Sequence, residues 1–336
     1  MALRTVVALL LALLCAACGS SGPSRAGAAP PTPAGGGKVT LWQDAAIFDA
    51  VRGLLQGGAS GAHLWVEMYE FGRDDLRDLL ESAFHAGADV RVVLDPTVGS
   101  SRAEGRELGD DGVPVRFYPV DERRHQIDHV KLVVTDGAAL VGGMNWGEGS
   151  DENHDYALHI TDAGEVARLR AIFGQDWSLA GGAPAPLPER AAGPVGQTAP
   201  GQEIRHMLLS AITGARHSVD AEVYTLTDGL VVDALADAWR RGVRVRVLVD
   251  PNQPANRQAV DDLLGAGVPV RRYPVPKGAL LHAKIGLFDG TRLILGSANW
   301  TESGLSVNHE IDVTTSDGVA ARTFAGRFTR DWAVSS

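Results

Sequence analysis

Two stretches of this chain place a lysine two residues after a histidine. The first is His129-Val130-Lys131-Leu132-Val133-Val134-Thr135-Asp136, followed by Gly142-Gly143-Met144-Asn145. The second is His282-Ala283-Lys284-Ile285-Gly286-Leu287-Phe288-Asp289, followed by Gly296-Ser297-Ala298-Asn299. Apolar residues between the polar ones mark both as buried strands, and strand alternation puts His129 with Lys131, and His282 with Lys284, on one face. A neutral imidazole can attack or accept a proton, and a protonated one can donate. Two buried ammonium groups need an anion to offset their desolvation, and a phosphate would serve. A lysine beside each histidine counts against a metal centre, because an ammonium repels a cation and cannot ligate while protonated. No metal or cofactor is expected.

The same alternation turns Asp136 and Asp289 away from their histidines. Each precedes a glycine between two apolar strands, the Asp-Gly pairing of a tight hairpin that needs positive φ, so a structural role is expected. Two further histidines recur, in Asn153-His154-Asp155 and Asn308-His309-Glu310. Here Asp155 and Glu310 share a face with Asn153 and Asn308, and they are the acids expected to orient the reactive imidazoles. His154 and His309 face the other way and read as structural. His63, His85, His125, His159, His206 and His217 have no counterpart and read as ordinary core or surface residues.

The elements that carry these residues are duplicated. Tyr69 and Tyr224 end matching strands 155 residues apart, and Asp95-Pro96 and Asp250-Pro251 keep that spacing. It is 153 at His129 and His282, 154 at Asn145 and Asn299, and 155 again at Trp177 and Trp332, so length changes fall in loops. Helices are expected over residues 43–57, 74–85, 198–212 and 229–241, alternating with apolar strands. That pattern implies an α/β fold with a mixed sheet in each half. The expected units are a leader over 1–17, a tether over 18–37, lobes over 38–180 and 198–336, and a Pro- and Gly-rich linker over 181–197.

The leader has one early arginine, Arg4, and then an apolar run too short to span a bilayer, and it reads as a signal peptide. Leu14-Cys15-Ala16-Ala17-Cys18 resembles a lipobox, with Cys18 the lipidated residue. The expectation is export from a bacterial cytoplasm and anchoring through Cys18, or else a secreted or periplasmic protein. Both cysteines lie in this segment, so no disulfide is expected in the folded part. A net charge of −10 counts against a nucleic-acid partner. The expected partner is a phospholipid at a membrane surface, and the protein is expected to be a monomer.

With both copies in view, the chain resembles the phospholipase D superfamily, whose signature is H-x-K-x4-D followed by G-S-x-N, twice. Gly143 stands where the second copy has Ser297. The resemblance implies two α/β sandwich lobes about a pseudo-twofold axis, with both motifs at one site. It also implies metal-independent phosphodiester chemistry, in which one histidine forms a phosphohistidine and the other protonates the leaving alkoxide. Carried over by position, His129 and His282 do the chemistry, with Lys131, Lys284, Asn145, Asn299 and Ser297 on the phosphate. The activity expected first is phospholipase D-type headgroup cleavage. The alternatives are an exported endonuclease or a cardiolipin synthase-like phosphatidyltransferase, which the Gly-Gly-Met-Asn wording resembles. A non-catalytic phosphate or lipid binder is the least favoured.

Overall fold

The computed structural model describes residues 37–183, 193–198 and 201–336. The leader, Cys18, the tether up to residue 36 and the middle of the linker lie outside the described residues. The first lobe runs β1 (Val39–Gln43), α1 (Ile47–Gln56), β2 (His63–Met68), α2 (Asp74–His85), β3 (Asp89–Leu94), α3 (Gly99–Asp110) and β4 (Val115–Phe117). It continues with β5 (Lys131–Thr135), β6 (Ala139–Gly142), β7 (Tyr156–Ile160) and α4 (Ala163–Ala180). The second lobe repeats the series as β8 (Val195–Thr198), α5 (Glu203–Gly214), β9 (Ser218–Val223), α6 (Gly229–Arg240), β10 (Arg244–Val249), α7 (Arg257–Gly265) and β11 (Val270–Arg272). It ends with β12 (Lys284–Phe288), β13 (Arg292–Gly296), α8 (Glu302–Ser306), β14 (Glu310–Thr315) and α9 (Gly318–Val334).

Both sheets have the same strand order. The first is β1-β7-β6-β5-β2-β3-β4 and the second β8-β14-β13-β12-β9-β10-β11. In each, three neighbouring strands are parallel and the rest antiparallel, the mixed α/β sheet that the sequence implies. Local chemistry explains the helices. In α2 the buried Leu76, Leu80 and Ala83 form one apolar stripe. Asp162 and Asp317 cap α4 and α9 by accepting from the first-turn amides, again at matching positions. One apolar cluster draws from both sheets and from α4 and α9, including Leu132, Phe173, Ile285 and Phe324, so the lobes share a core. Separate clusters fill the outer layer of each lobe.

Three expectations need correction. The linker ends earlier than residue 197, because Val195–Thr198 is strand β8 paired to β14. The helices expected from residues 43 and 198 begin later, at Ile47 and Glu203, after edge strands β1 and β8 that lack strong alternation. Finally, only one hairpin uses the left-handed turn. Asp289 and Gly290 have φ of 53° and 68°, whereas neither Asp136 nor Gly137 is positive. In that first turn the Thr135 hydroxyl accepts from Ala138 N at 3.1 Å and helps close the loop. Both aspartates do tie their hairpins to the neighbouring strand. Asp136 accepts from His63 N, and Asp289 from the amides of Arg216, His217 and Ser218.

Candidate active site

Tyr69 follows β2 and Tyr224 follows β9, at the C-terminal edge of the parallel strands, where open α/β sheets place ligands. Strands β5 and β12 run antiparallel to β2 and β9, so their N-terminal ends reach the same edge. Within each lobe these ladders begin at the lysines. The histidines just before them pair across the seam instead. His129 N donates to His309 O at 2.8 Å, and His282 N donates to His154 O at 2.9 Å. Bridges Asp128 to His309 and His154 to Leu281 complete two equivalent contacts, the exchange expected of twofold-related halves.

This crossing decides which acid meets which imidazole. His129 Nδ1 lies 2.9 Å from Glu310 Oε2, and His282 Nδ1 lies 2.8 Å from Asp155 Oδ2. Each histidine therefore takes its carboxylate from the opposite lobe. A carboxylate on Nδ1 holds the proton there and leaves Nε2 unprotonated, and in His282 the Lys284 ammonium stands 3.0 Å from that Nε2. Both rings are buried, each near a tyrosine: Tyr69 is 4.8 Å from His129 and Tyr224 is 5.0 Å from His282, centroid to centroid.

The lysines fold back on the same strand ends. Lys131 Nζ donates to His129 O at 2.6 Å and Lys284 Nζ to His282 O at 2.5 Å. Burial lowers Lys131 to about 7 and Lys284 to about 8. Burial and the adjacent Lys284 ammonium push His282 down to about 3. His129 is lowered as well, by burial first, with Glu310 opposing the shift. For Glu310 burial acts upward, but His129, Lys131 and the Ser297 hydroxyl hold it below the ordinary carboxylate range. An anion beside these lowered groups would favour their charged forms.

Ser297 corrects one expectation. Fully buried, its hydroxyl accepts from Ile311 N at 3.0 Å and bonds Glu310, so it braces the acid and is not turned to a phosphate. At the matching place a side chain on Gly143 would overlap the Asp155 carboxylate. Asp155 itself accepts from Tyr156 N at 2.8 Å. Gly143 with Asp155 and Ser297 with Glu310 are therefore two packings of one support. Asn145 donates to Glu70 Oε2 at 2.9 Å, a carboxylate that sequence reasoning missed because Thr225 replaces it in the other half. Among the described residues Asn145 Oδ1 and Asn299 Oδ1 are buried without a hydrogen-bond partner.

His154 and His309 occupy buried acid clusters behind the site. His309 Nε2 lies 3.1 Å from Asp176 and 3.4 Å from Glu67, and its ring stacks on Tyr118. His154 bonds Asp44 and Glu222 at 2.7 and 2.8 Å and stacks on Tyr273. Burial opposes their charged forms, but Asp176 for His309 and Glu222 for His154 outweigh it and hold both imidazoles well above the ordinary value. A histidine and two acids in each cluster lie close enough for one cation, and in the second Arg327 already supplies positive charge to Asp44 and Asp331.

Against this geometry the similarities are specific. The family described as "Cardiolipin synthase, PLD-like domain" matches residues 58–177 and 208–332, one match per lobe. The chain is 31% identical to cardiolipin synthase 2 of Bacillus cereus over 331 residues, covering 86% of this chain and 63% of that one. It is also 31% identical to a cardiolipin synthase of a Geobacillus species, covering 74% of this chain and 57% of that one. The chain thus spans about 60% of the length of these relatives. Phosphatidylserine synthase of Haemophilus influenzae superimposes with a TM-score of 0.69 over 88% of this chain and 86% of that one. At 13% identity that likeness speaks to the fold. Two matched lobes, each with its histidine–lysine pair at a shared seam, mean that this chain belongs to the phospholipase D superfamily, in the family of cardiolipin synthase PLD-like domains.

Proposed function

We propose that this protein transfers a phosphatidyl group from a phospholipid to an alcohol through a phosphohistidine intermediate. The observation that carries the chemistry is the crossed pair of imidazoles, each tautomer-fixed by a carboxylate of the other lobe and each beside a buried lysine. His282, kept neutral by burial and Lys284, attacks phosphorus through Nε2. His129, whose burial Glu310 partly offsets, protonates the leaving alkoxide and then removes the proton from the incoming alcohol. That alcohol breaks the P–N bond and frees His282. Lys131 and Lys284 balance charge on the phosphoryl oxygens.

The sequence motifs alone put hydrolysis first. The cardiolipin synthase relatives support transfer instead. Cardiolipin is two phosphatidyl groups joined by glycerol, so the acceptor in that case is the glycerol headgroup of another phospholipid. Vesicles of labelled phosphatidylglycerol, treated with the protein in chelator, should yield cardiolipin and glycerol. His282→Ala and His129→Ala should each lose at least about 10²-fold in rate, the scale of general acid–base catalysis. Phosphatidic acid as the sole lipid product would return the reading to hydrolysis. Activity that vanishes in chelator and returns with a divalent metal would sink the mechanism.

A further inference from the structure

The two sides of the site are not alike. In the second lobe, the loop after β10 and the first turn of α7 enclose a cavity of about 290 Å³, lined by Asp250, Gln253, Arg257 and Arg272 among others. Two of its lining residues connect it to groups beside the reactive ring of that lobe. Asp250 Oδ2 accepts from Leu281 N, the residue before His282, at 2.7 Å. Gln253 hydrogen-bonds Tyr224, whose ring is 5.0 Å from His282.

Both guanidiniums are exposed, and among the described residues neither takes part in an ion pair or a side-chain hydrogen bond. Elsewhere Arg77, Arg170, Arg205, Arg246 and Arg327 are matched to acids, whereas these two share a cavity lining without being paired. The first lobe has no such pair. Arg102, the counterpart of Arg257, is spent on Pro96 O at 2.5 Å, and Phe117, 38% exposed, stands where the second lobe has Arg272. Asp250 is the acid of this lining, but its oxygens accept from Leu281 N and Asn252 N, and neither guanidinium is paired with it.

We propose that this cavity is a second phosphate subsite, and that it seats the phosphodiester belonging to the acceptor lipid. The inference rests on the transfer reading above. A phospholipid acceptor brings its own anion a few bonds from the attacking hydroxyl, while the two lysines are occupied by the donor phosphate. The acceptor therefore needs cations of its own, and a guanidinium pair supplies directed donors to phosphate oxygens.

The test uses the full chain, phosphatidyl-p-nitrophenol as donor, and three acceptors: water, glycerol and short-chain phosphatidylglycerol. In Arg257→Gln/Arg272→Gln, KM for phosphatidylglycerol as acceptor should rise about 10–100-fold, the scale of losing one or two charge-assisted hydrogen bonds. Transfer to glycerol, and p-nitrophenol release into water, should stay within about threefold, which is a difference of under 1 kcal/mol. Arg257→Lys/Arg272→Lys should recover part of the phosphatidylglycerol preference. Inorganic phosphate should compete with the donor at the two lysines in both proteins, and in the unsubstituted protein alone should also compete with phosphatidylglycerol as acceptor; acceptor competition that persists in the Gln variant overturns the subsite. An equal loss with all three acceptors, or no change with any, overturns the subsite alone. An unsubstituted protein that releases p-nitrophenol only to water overturns the transfer reading and the subsite with it.

Discussion

At the scale of single residues, the site is defined by charges held out of water. Lys131 at about 7 and Lys284 at about 8 are partly neutral near pH 8, both pushed down first by burial. An entering phosphate favours their charged forms, so binding must draw protons in. Titration calorimetry with inorganic phosphate at pH 8, run in two buffers of different ionisation enthalpy, should show uptake of on the order of one proton. Zero linkage, or release, would contradict the buried-lysine picture. The same depression gives a sign for stability. Between the folded values and the ordinary 10.5, the unfolded chain holds protons that the folded state has shed. For these two groups stability therefore rises with pH through that window.

At the scale of elements, the crossed carboxylates depend on how closely β6 approaches Asp155, just before β7, and how β13 approaches β14. Gly143→Ser would force a hydroxymethyl group into the Asp155 carboxylate, and overpacking of this kind costs roughly 1–3 kcal/mol. The expected result is a lower melting temperature together with a reduced turnover, because Asp155 would lose its reach to His282. A variant with native stability and native rate would refute this account of why the first motif lacks serine. Where the histidine–lysine pairs and the acids downstream of them sit on their strands was legible in the sequence because strand alternation is a strict geometric rule and the duplication repeats it; of the two turn aspartates only Asp289 takes the left-handed conformation the Asp-Gly pairing implied. Edge strands β1 and β8 were not, since both are short and β8 is buried at every position, so neither carries a clear two-residue period. Nor was the crossing legible, because alternation assigns a face and says nothing of which lobe lies opposite. Glu70 left no signal because it breaks the repeat, and Ser297 was misassigned because its burial comes from β14, a distant partner.

For the whole molecule, the halves are joined by more than a linker. A shared apolar core, two backbone exchanges at the seam and two buried histidine–acid clusters link them, with His309 set among acids of the first lobe and His154 between Asp44 of its own lobe and Glu222 and Asp331 of the second. Separating the lobes would strand charges, and unpairing even one buried ionic partner costs about 3–5 kcal/mol. Calorimetry should accordingly show one unfolding transition with calorimetric and van't Hoff enthalpies in agreement. Two resolved transitions would mean the lobes are separately stable.

The exchange of carboxylates across the seam also works as an interlock. Both imidazoles depend on the opposite half for their tautomer, so any excursion that parts the halves disarms both in one motion. With the seam parted, neither imidazole keeps the carboxylate that fixes its tautomer. On the proposed mechanism a phosphorus–nitrogen bond would therefore form only with the seam shut.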